Sequence, residues 1–307
     1  MPGERRALWL MAAPFLVGVT VLVVGPALWT ATMAFTDANL IRPPRFVGLG
    51  NFRELLEDPL FRLALRNSLL FAVIAVPLRL ALALGVALLL ARPGRFGRAG
   101  AAAVVLPAAI PDAALALAFL WLFNPLYGPL NAGLAAAGLP TPSWLTEPTP
   151  ARWGVVVMSL FVVAEGVLLG VAARRSIPGE MYEMAAGLGA GPVGRFARVT
   201  LPLLTPVLLL LAVRDTALTL QSSFVPAVLV TGGGPPPGAT TYLPLFIYRE
   251  GFEYLRYGYA AAATLVLFAV TASAIWLEYR VVVRWRPGRL GWRAGLQDAR
   301  DVVSARR

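Results

Sequence analysis

Five ionisable side chains sit in or beside stretches that are otherwise apolar: Arg79, Asp112, Glu165, Arg214 and Asp215. In hydrocarbon each costs a few kcal/mol or more unless it is paired or faces water. Arg79 and Asp112 lie where a side chain can snorkel to an interface, whereas Glu165, Arg214 and Asp215 lie deeper. A charge bridge between neighbouring segments accounts for the deeper three, and so does a polar path across the segments. Gln221, Ser222 and Ser223 follow about two helical turns beyond Asp215. With Phe224 and Trp121 they offer amide, hydroxyl and aromatic groups, the chemistry that holds a sugar by hydrogen bonds and stacking. The candidate path therefore comprises Trp121, Glu165, Asp215, Gln221, Ser222, Ser223 and Phe224.

Covalent chemistry is poorly served. The 307 residues include no Cys, no His and no Lys. A thiolate, a disulfide framework, a zinc site built on Cys and the usual neutral-pH base are thereby excluded. So are a Schiff base and the GxxxxGK[ST] phosphate loop, the usual loop for nucleotide hydrolysis. An intramembrane hydrolase needs a nucleophile with a base or paired carboxylates, and only Asp112 and Asp215 are available to pair. No catalytic residue, cofactor or metal site is expected on this chain.

The elements that position these groups follow from composition. Hydrophobic residues make up 58% of the chain and charged residues 14%, against about a quarter charged in a typical soluble domain. Apolar stretches run over Leu8–Phe35, Ser68–Ala91, Ala99–Phe123, Trp153–Ala173, Leu203–Val230 and Tyr257–Val283. At about 1.5 Å per residue each is long enough for a core of about 30 Å. The expected fold is an all-α membrane protein of six transmembrane helices. The first stretch is too long for the apolar region of a cleaved signal and reads as a retained span.

Arginine placement orients the spans. With the N-terminus inside, the inner segments carry Arg5 and Arg6, then Arg92, Arg95 and Arg98, then Arg174, Arg175, Arg195 and Arg198, then the basic tail from Arg280. In the outer segments acids interleave with arginines, as Asp37, Glu54, Glu57 and Asp58 do with Arg53, Arg62 and Arg66. Both termini are thus expected to be cytoplasmic. The net charge of +11 reads as a topogenic signal beside anionic membrane lipid, not as a nucleic-acid surface. Residues 1–6 are expected to form an inner N-terminus, 7–283 a single membrane domain of six spans and 284–307 a basic tail. A short amphipathic outer helix is expected over Asn51–Arg66, and Thr231–Pro235, TGGGP, reads as a tight outer turn.

Between the fourth and fifth stretches lies EMYEMAAGLGAGPVGRFARVTLP, residues 180 to 202. Pro178 ends the fourth span and suits the first turn of a new helix. Glu180 and Glu183 sit near that helix N-terminus, where carboxylates are favoured. Met181, Met184, Ala185 and Leu188 recur at helical spacing as one apolar stripe. Gly187, Gly189 and Gly191 interrupt it, with Gly189 suited to the left-handed conformation of a bend. Such a short helix is not stable alone and must dock on a partner or lie on lipid.

This insert resembles the Glu-Ala-Ala loop of inner-membrane permease subunits of ABC importers, E-A-A-x-x-x-G, nine residues, then I-x-L-P. Glu183, Ala185 and Gly189 match its first part, and Val199, Leu201 and Pro202 its end. Met184 stands where the first Ala is usual, and Leu188 where the carbohydrate branch usually has Asp. FVGLGNFRELLEDPLFRLALRNSLLF, VLPAAIPDAALALAFLWLFNPLYGPLN, LVTGGGP and YGYAAAATLVLF are similar, in order, to other segments of that branch. The TGGGP turn resembles the first permeases of maltose and glycerol-phosphate systems. The resemblance implies a bacterial inner-membrane, multi-pass subunit that forms half of the pathway for a sugar or polyol. Its implied partners are a second permease, a dimeric ATP-binding cassette ATPase that would hold the ATP and Mg, and an extracytoplasmic solute-binding protein. Residues 176–202 would form the coupling loop, with Glu180, Glu183, Ala185, Ala186, Gly189 and Gly191 at the contact with the ATPase. A self-sufficient secondary transporter and an ABC permease for a non-sugar solute are the alternative readings.

Overall fold

A computed structural model describes residues 2–39, 41–91, 94–234 and 238–284. Arg92, Pro235 and the basic tail from 285 onward lie outside the described residues. The described chain is helical, and its one β contact is an isolated bridge between Thr36 and Phe46. Among the described residues four helices are long and apolar enough to cross a membrane: Trp9–Met33, Pro59–Leu90, Pro192–Leu229 and Tyr257–Val281. Two bent pairs bring the number to six if each pair is one span.

Those bent pairs fall in the third and fourth of the six expected stretches. Ala99–Ala109 and Asp112–Leu122 meet at 95°. The corner falls at Ile110–Pro111, where Pro removes the N–H that the ladder needs. Asp112 then opens the second limb, where a carboxylate meets the positive end of the helix. Pro148–Ser159 and Ala164–Arg175 meet at 48° with no proline or glycine between them. There the ladder tightens before it breaks, since Leu160, Phe161 and Val162 donate to residues three back, Val157, Met158 and Ser159.

The outer amphipathic helix is shorter than expected. It covers Gly50–Glu57, and residues from Pro59 belong to a 32-residue helix ending at Leu90. Asp58 makes the break: its Oδ1 accepts the N–H groups of Leu60 (2.7 Å) and Phe61 (3.3 Å), capping the new helix, and Pro59 fills the first position.

The chain divides into two compact units. One comprises Met1–Ala72, Leu115–Val155 and Leu220–Thr271. Its core gathers Leu55, Phe61, Leu243, Phe246, Tyr259 and the small run Ala261–Ala263. Side-chain amides hold its loops: Asn67 donates to the carbonyls of Gly238 (2.7 Å) and Thr241 (3.0 Å), and Asn51 to those of Ala34 and Thr36. The TGGG part of the expected turn is a turn, with Gly232, Gly233 and Gly234 all at positive φ. Gly258 lies so close to Thr36 that an added Cβ would stand 1.9 Å from the Thr36 carbonyl oxygen.

The other unit comprises Val73–Ala114, Val156–Thr219 and Ala272–Arg307. Here Gly166 and Gly170 let Ala164–Arg175 close onto the Pro59–Leu90 helix, with Ala83 and Ala87 directly opposite. This small-xxx-small contact lets backbones approach where lipid supplies no hydrophobic drive for association.

Candidate functional site

The 176–202 insert is a helix, a bend and a return. Ser176 caps the preceding helix, and the Pro178 backbone is extended before the Gly179–Gly187 helix begins. At its far end the Gly189 N–H donates to the Ala186 carbonyl (2.9 Å) and the Ala190 N–H to the Ala185 carbonyl (2.9 Å). That pair of bonds, with Gly189 at φ +80°, is a Schellman closure. Gly191 and Pro192 then start a helix that passes through a π-helical turn at Phe196–Thr200 and runs on from Leu201.

The expected apolar stripe divides. Met181, Tyr182 and Ala185 pack against Ile177, Val199 and Leu204. Met184 and Leu188 do not join them and are 63% and 89% exposed. Met184 sits about 100° around the helix from the middle of the buried trio, and Leu188 lies past the last helical residue. Glu180, Glu183, Ala186, Gly189 and Gly191 are exposed with them, while Ala185 is half-buried against its own chain. The helix thus has an inner face of three residues and an outer face carrying two carboxylates and two large apolar groups.

Its inner face is tied to the ends of the long helices. The Tyr182 and Thr200 hydroxyls are hydrogen-bonded at 2.9 Å, and the Arg174 guanidinium lies 4.2 Å above the Tyr182 ring. Arg175 donates to the carbonyls of Leu90 and Ala91, capping the end of the Pro59–Leu90 helix. These contacts gather the insert and three helix ends into one bonded cluster.

Farther along the same unit the deep charges meet. Arg79 is buried, and its guanidinium lies 3.6 Å from the Asp215 carboxylate. It donates to the Val162 carbonyl at 3.0 Å and to the Thr219 hydroxyl at 3.4 Å. Arg214 bridges Asp215 at 3.3 Å and Glu165. The cluster is formally neutral and joins the break in the fourth stretch, at Val162, and the helix after it, at Glu165, to the Pro59–Leu90 and Leu201–Ser222 helices. Arg79 is its centre, not a group snorkelling at an interface as its position in the sequence suggests. Its bond to Val162 satisfies a carbonyl that the helix break would otherwise orphan in a dry setting.

Sequence reading also passed over Glu278. This acid lies in the last long helix and accepts a hydrogen bond from Thr216, while its Oε2 is buried without a partner. A carboxylate within the apolar run AIWLEYR was the available signal.

The other expected path residues fall in the first unit. Gln221 and Ser222 are exposed, and Ser223 is buried with its hydroxyl unpartnered. They mark the point where the Leu201–Ser222 helix gives way to Phe224–Leu229. Pro226 explains the break, since it has no N–H for the Ser222 carbonyl. Phe224 packs on Tyr248 at 4.9 Å between centroids, and Trp121 is exposed at the end of its helix. Among the described residues no group of three or more His, Cys, Asp or Glu could hold a metal ion.

A family model for the binding-protein-dependent transport system inner membrane component matches residues 83–287. The chain belongs to this family. It is therefore a multi-pass inner-membrane permease subunit of a binding-protein-dependent ABC importer, working with an ATPase and a binding protein and carrying neither cofactor nor catalytic step. This decides against the self-sufficient secondary transporter. The permease is 29% identical to the sulfoquinovosyl glycerol transport system permease protein SmoG of Agrobacterium fabrum, over 91% of each chain. It is 32% identical to the sn-glycerol-3-phosphate transport system permease protein UgpA of Yersinia pestis, over 85% of this chain and 87% of the relative. A crystal structure of a bacterial alginate ABC transporter, in complex with its alginate pentasaccharide-bound periplasmic protein, contains a chain of the same fold. The TM-score is 0.80 at 22% identity, over 93% of this chain and 96% of that one.

Proposed function

We propose that this permease passes a sugar or glycerol-derived polyol, and that the Gly179–Gly187 helix couples it to the ATPase. The observation that carries the coupling is the two-sided build of that helix. Its inner face is bonded to the ends of long helices, and its outer face presents Glu180, Glu183, Met184 and Leu188 with no partner among the described residues. Exposed large apolar groups beside carboxylates are what a protein groove accepts and water does not favour. Ala186, Gly189 and Gly191 leave room for close approach of a partner backbone, and Ala185 seats the helix on its own chain.

The reading places both termini and the 176–202 loop on the cytoplasmic side, following the arginine counts. It pairs the chain with a second, different permease and a dimeric ATPase. The membrane domain covers residues 7–283, with the basic tail of 284–307 at the cytoplasmic surface. The substrate class is supported by the relatives named for sulfoquinovosyl glycerol and sn-glycerol-3-phosphate transport. Trp121, Gln221, Ser222, Ser223 and Phe224 would contact the solute, and Glu165 and Asp215 would line its route while balancing Arg214 and Arg79.

The chain has no native cysteine, so single-cysteine variants are clean reporters. Met184→Cys and Leu188→Cys should cross-link to the co-purified ATPase and react with a cytoplasmic maleimide. Met181→Cys should do neither. Equal cross-linking at all three positions, or labelling from the outer side, would overturn this assignment.

A further inference from the structure

The bend also encloses a cleft of about 510 Å³ on its inner side, onto which Arg174, Arg175 and Arg195 converge with Tyr182. No acidic side chain lines it, and none of these arginines forms an ion pair among the described residues. Arg174 spends its face on the Tyr182 ring and leaves its edge N–H groups available. Arg175 uses its Nε and one terminal nitrogen on helix-end carbonyls, and keeps the other. The Nε of Arg195 is shut away from water with no hydrogen-bond partner among the described residues. An orphaned charged donor of this kind is expensive, and a built site that leaves one open points to an absent acceptor.

The acceptor must be anionic, compact and rich in oxygens. We infer that the Arg174–Arg175–Arg195 cleft binds a phosphate group, supplied by the headgroup of an acidic phospholipid. The guanidinium fork matches tetrahedral phosphate oxygens with paired, charge-assisted hydrogen bonds. The location fits a headgroup: Leu88 and Arg174 mark where apolar helices give way to arginines, the sequence signature of a span's end. Leu88 and Phe196 line the same cleft and give an acyl chain an apolar edge to lie on. Basic pockets between helix ends hold anionic lipids in this way. Because Tyr182 and Arg195 stand on opposite limbs of the bend, a bound phosphate would brace it. The inference does not rest on which protein meets the outer face.

The test uses the full chain in nanodiscs of phosphatidylcholine, with or without phosphatidylglycerol, read by native mass spectrometry and by the unfolding temperature. Phosphatidylglycerol should be retained and should raise the unfolding temperature of the unsubstituted chain. Arg195→Gln should bind it on the order of 10-fold more weakly. Should that variant fail to fold, Arg174→Gln should show the same weakening, and Arg53→Gln, on an exposed arginine elsewhere, should not. Protection by inorganic phosphate alone in phosphatidylcholine would still support a phosphate site and assign its source to solution. No protection by lipid or phosphate, or equal protection of the unsubstituted chain and the cleft variants, would overturn the inference.

Discussion

In the unit built around Phe61, Phe246 and Tyr259, buried amides and hydroxyls are committed to backbone, beside ion pairs such as Arg256 with Glu54 and Glu250. Asn67 and Asn51 each hold two carbonyls, the Ser68 hydroxyl accepts the Leu243 N–H, and the Thr241 hydroxyl donates to the Gly233 carbonyl. In the unit that carries the insert, charges face charges: Arg79 with Asp215, Arg214 with Asp215 and Glu165. The first arrangement fixes loops in one form, because a buried amide has no second backbone to choose. Arg214 touches two carboxylates in the second unit, as Arg256 does in the first, and what sets the second apart is an ion pair between two buried groups, Arg79 and Asp215. Amide-fixed loops in one unit and a buried ion pair in the unit that carries the insert suit the rigid segments that alternating access requires.

Breaking the charge cluster should have the largest effect. Arg79→Leu leaves the buried Asp215 with one partner and orphans the Val162 carbonyl, at a cost of about 3–5 kcal/mol. The check is the unfolding temperature in detergent, with Arg79→Leu/Asp215→Leu expected to recover much of the loss. In the other unit, Gly258→Ala puts a methyl against the Thr36 carbonyl and should cost about 1–3 kcal/mol. No charge substitution is expected to rescue it, which separates steric anchoring from electrostatic pairing.

The breaks show how far sequence reaches. The spans were legible because hydropathy is local. Pro111 announced the first corner and Pro226 the interruption near Ser223. The Leu160–Val163 break carried no local signal, because it is stabilised by Arg79 from a helix some eighty residues earlier. The Asp58–Pro59 restart was legible as a cap but was masked by a continuous amphipathic pattern. The bend at Gly189 was read correctly, whereas the face of Met184 was not. Which of two neighbouring apolar residues turns inward depends on Ile177 and Val199, which only the fold brings near.

Smaller effects sharpen the contrast. Tyr182→Phe removes one hydrogen bond to Thr200 and should cost about 1 kcal/mol of stability. It should weaken the coupling of ATP hydrolysis to substrate more than a stability loss of that size explains. In the first unit, burial raises the Glu250 carboxyl above its ordinary range, with Arg256 opposing the shift. An acid raised in this way holds its proton longer folded than unfolded. Stability should therefore fall as pH rises from the ordinary value of 4.5 through the raised one, then level off. Glu250→Gln should flatten that slope in a thermal-unfolding series against pH.

The central claim is that the Schellman bend at Gly189 holds a helix whose outer face transmits ATPase motion. Gly189→Asp forces a side chain into a φ of +80° and places a new charge on that face. Reconstituted with its binding protein and ATPase, this variant should insert normally yet lose substrate-stimulated hydrolysis and uptake. Stimulation at the level of the unsubstituted complex would contradict the account.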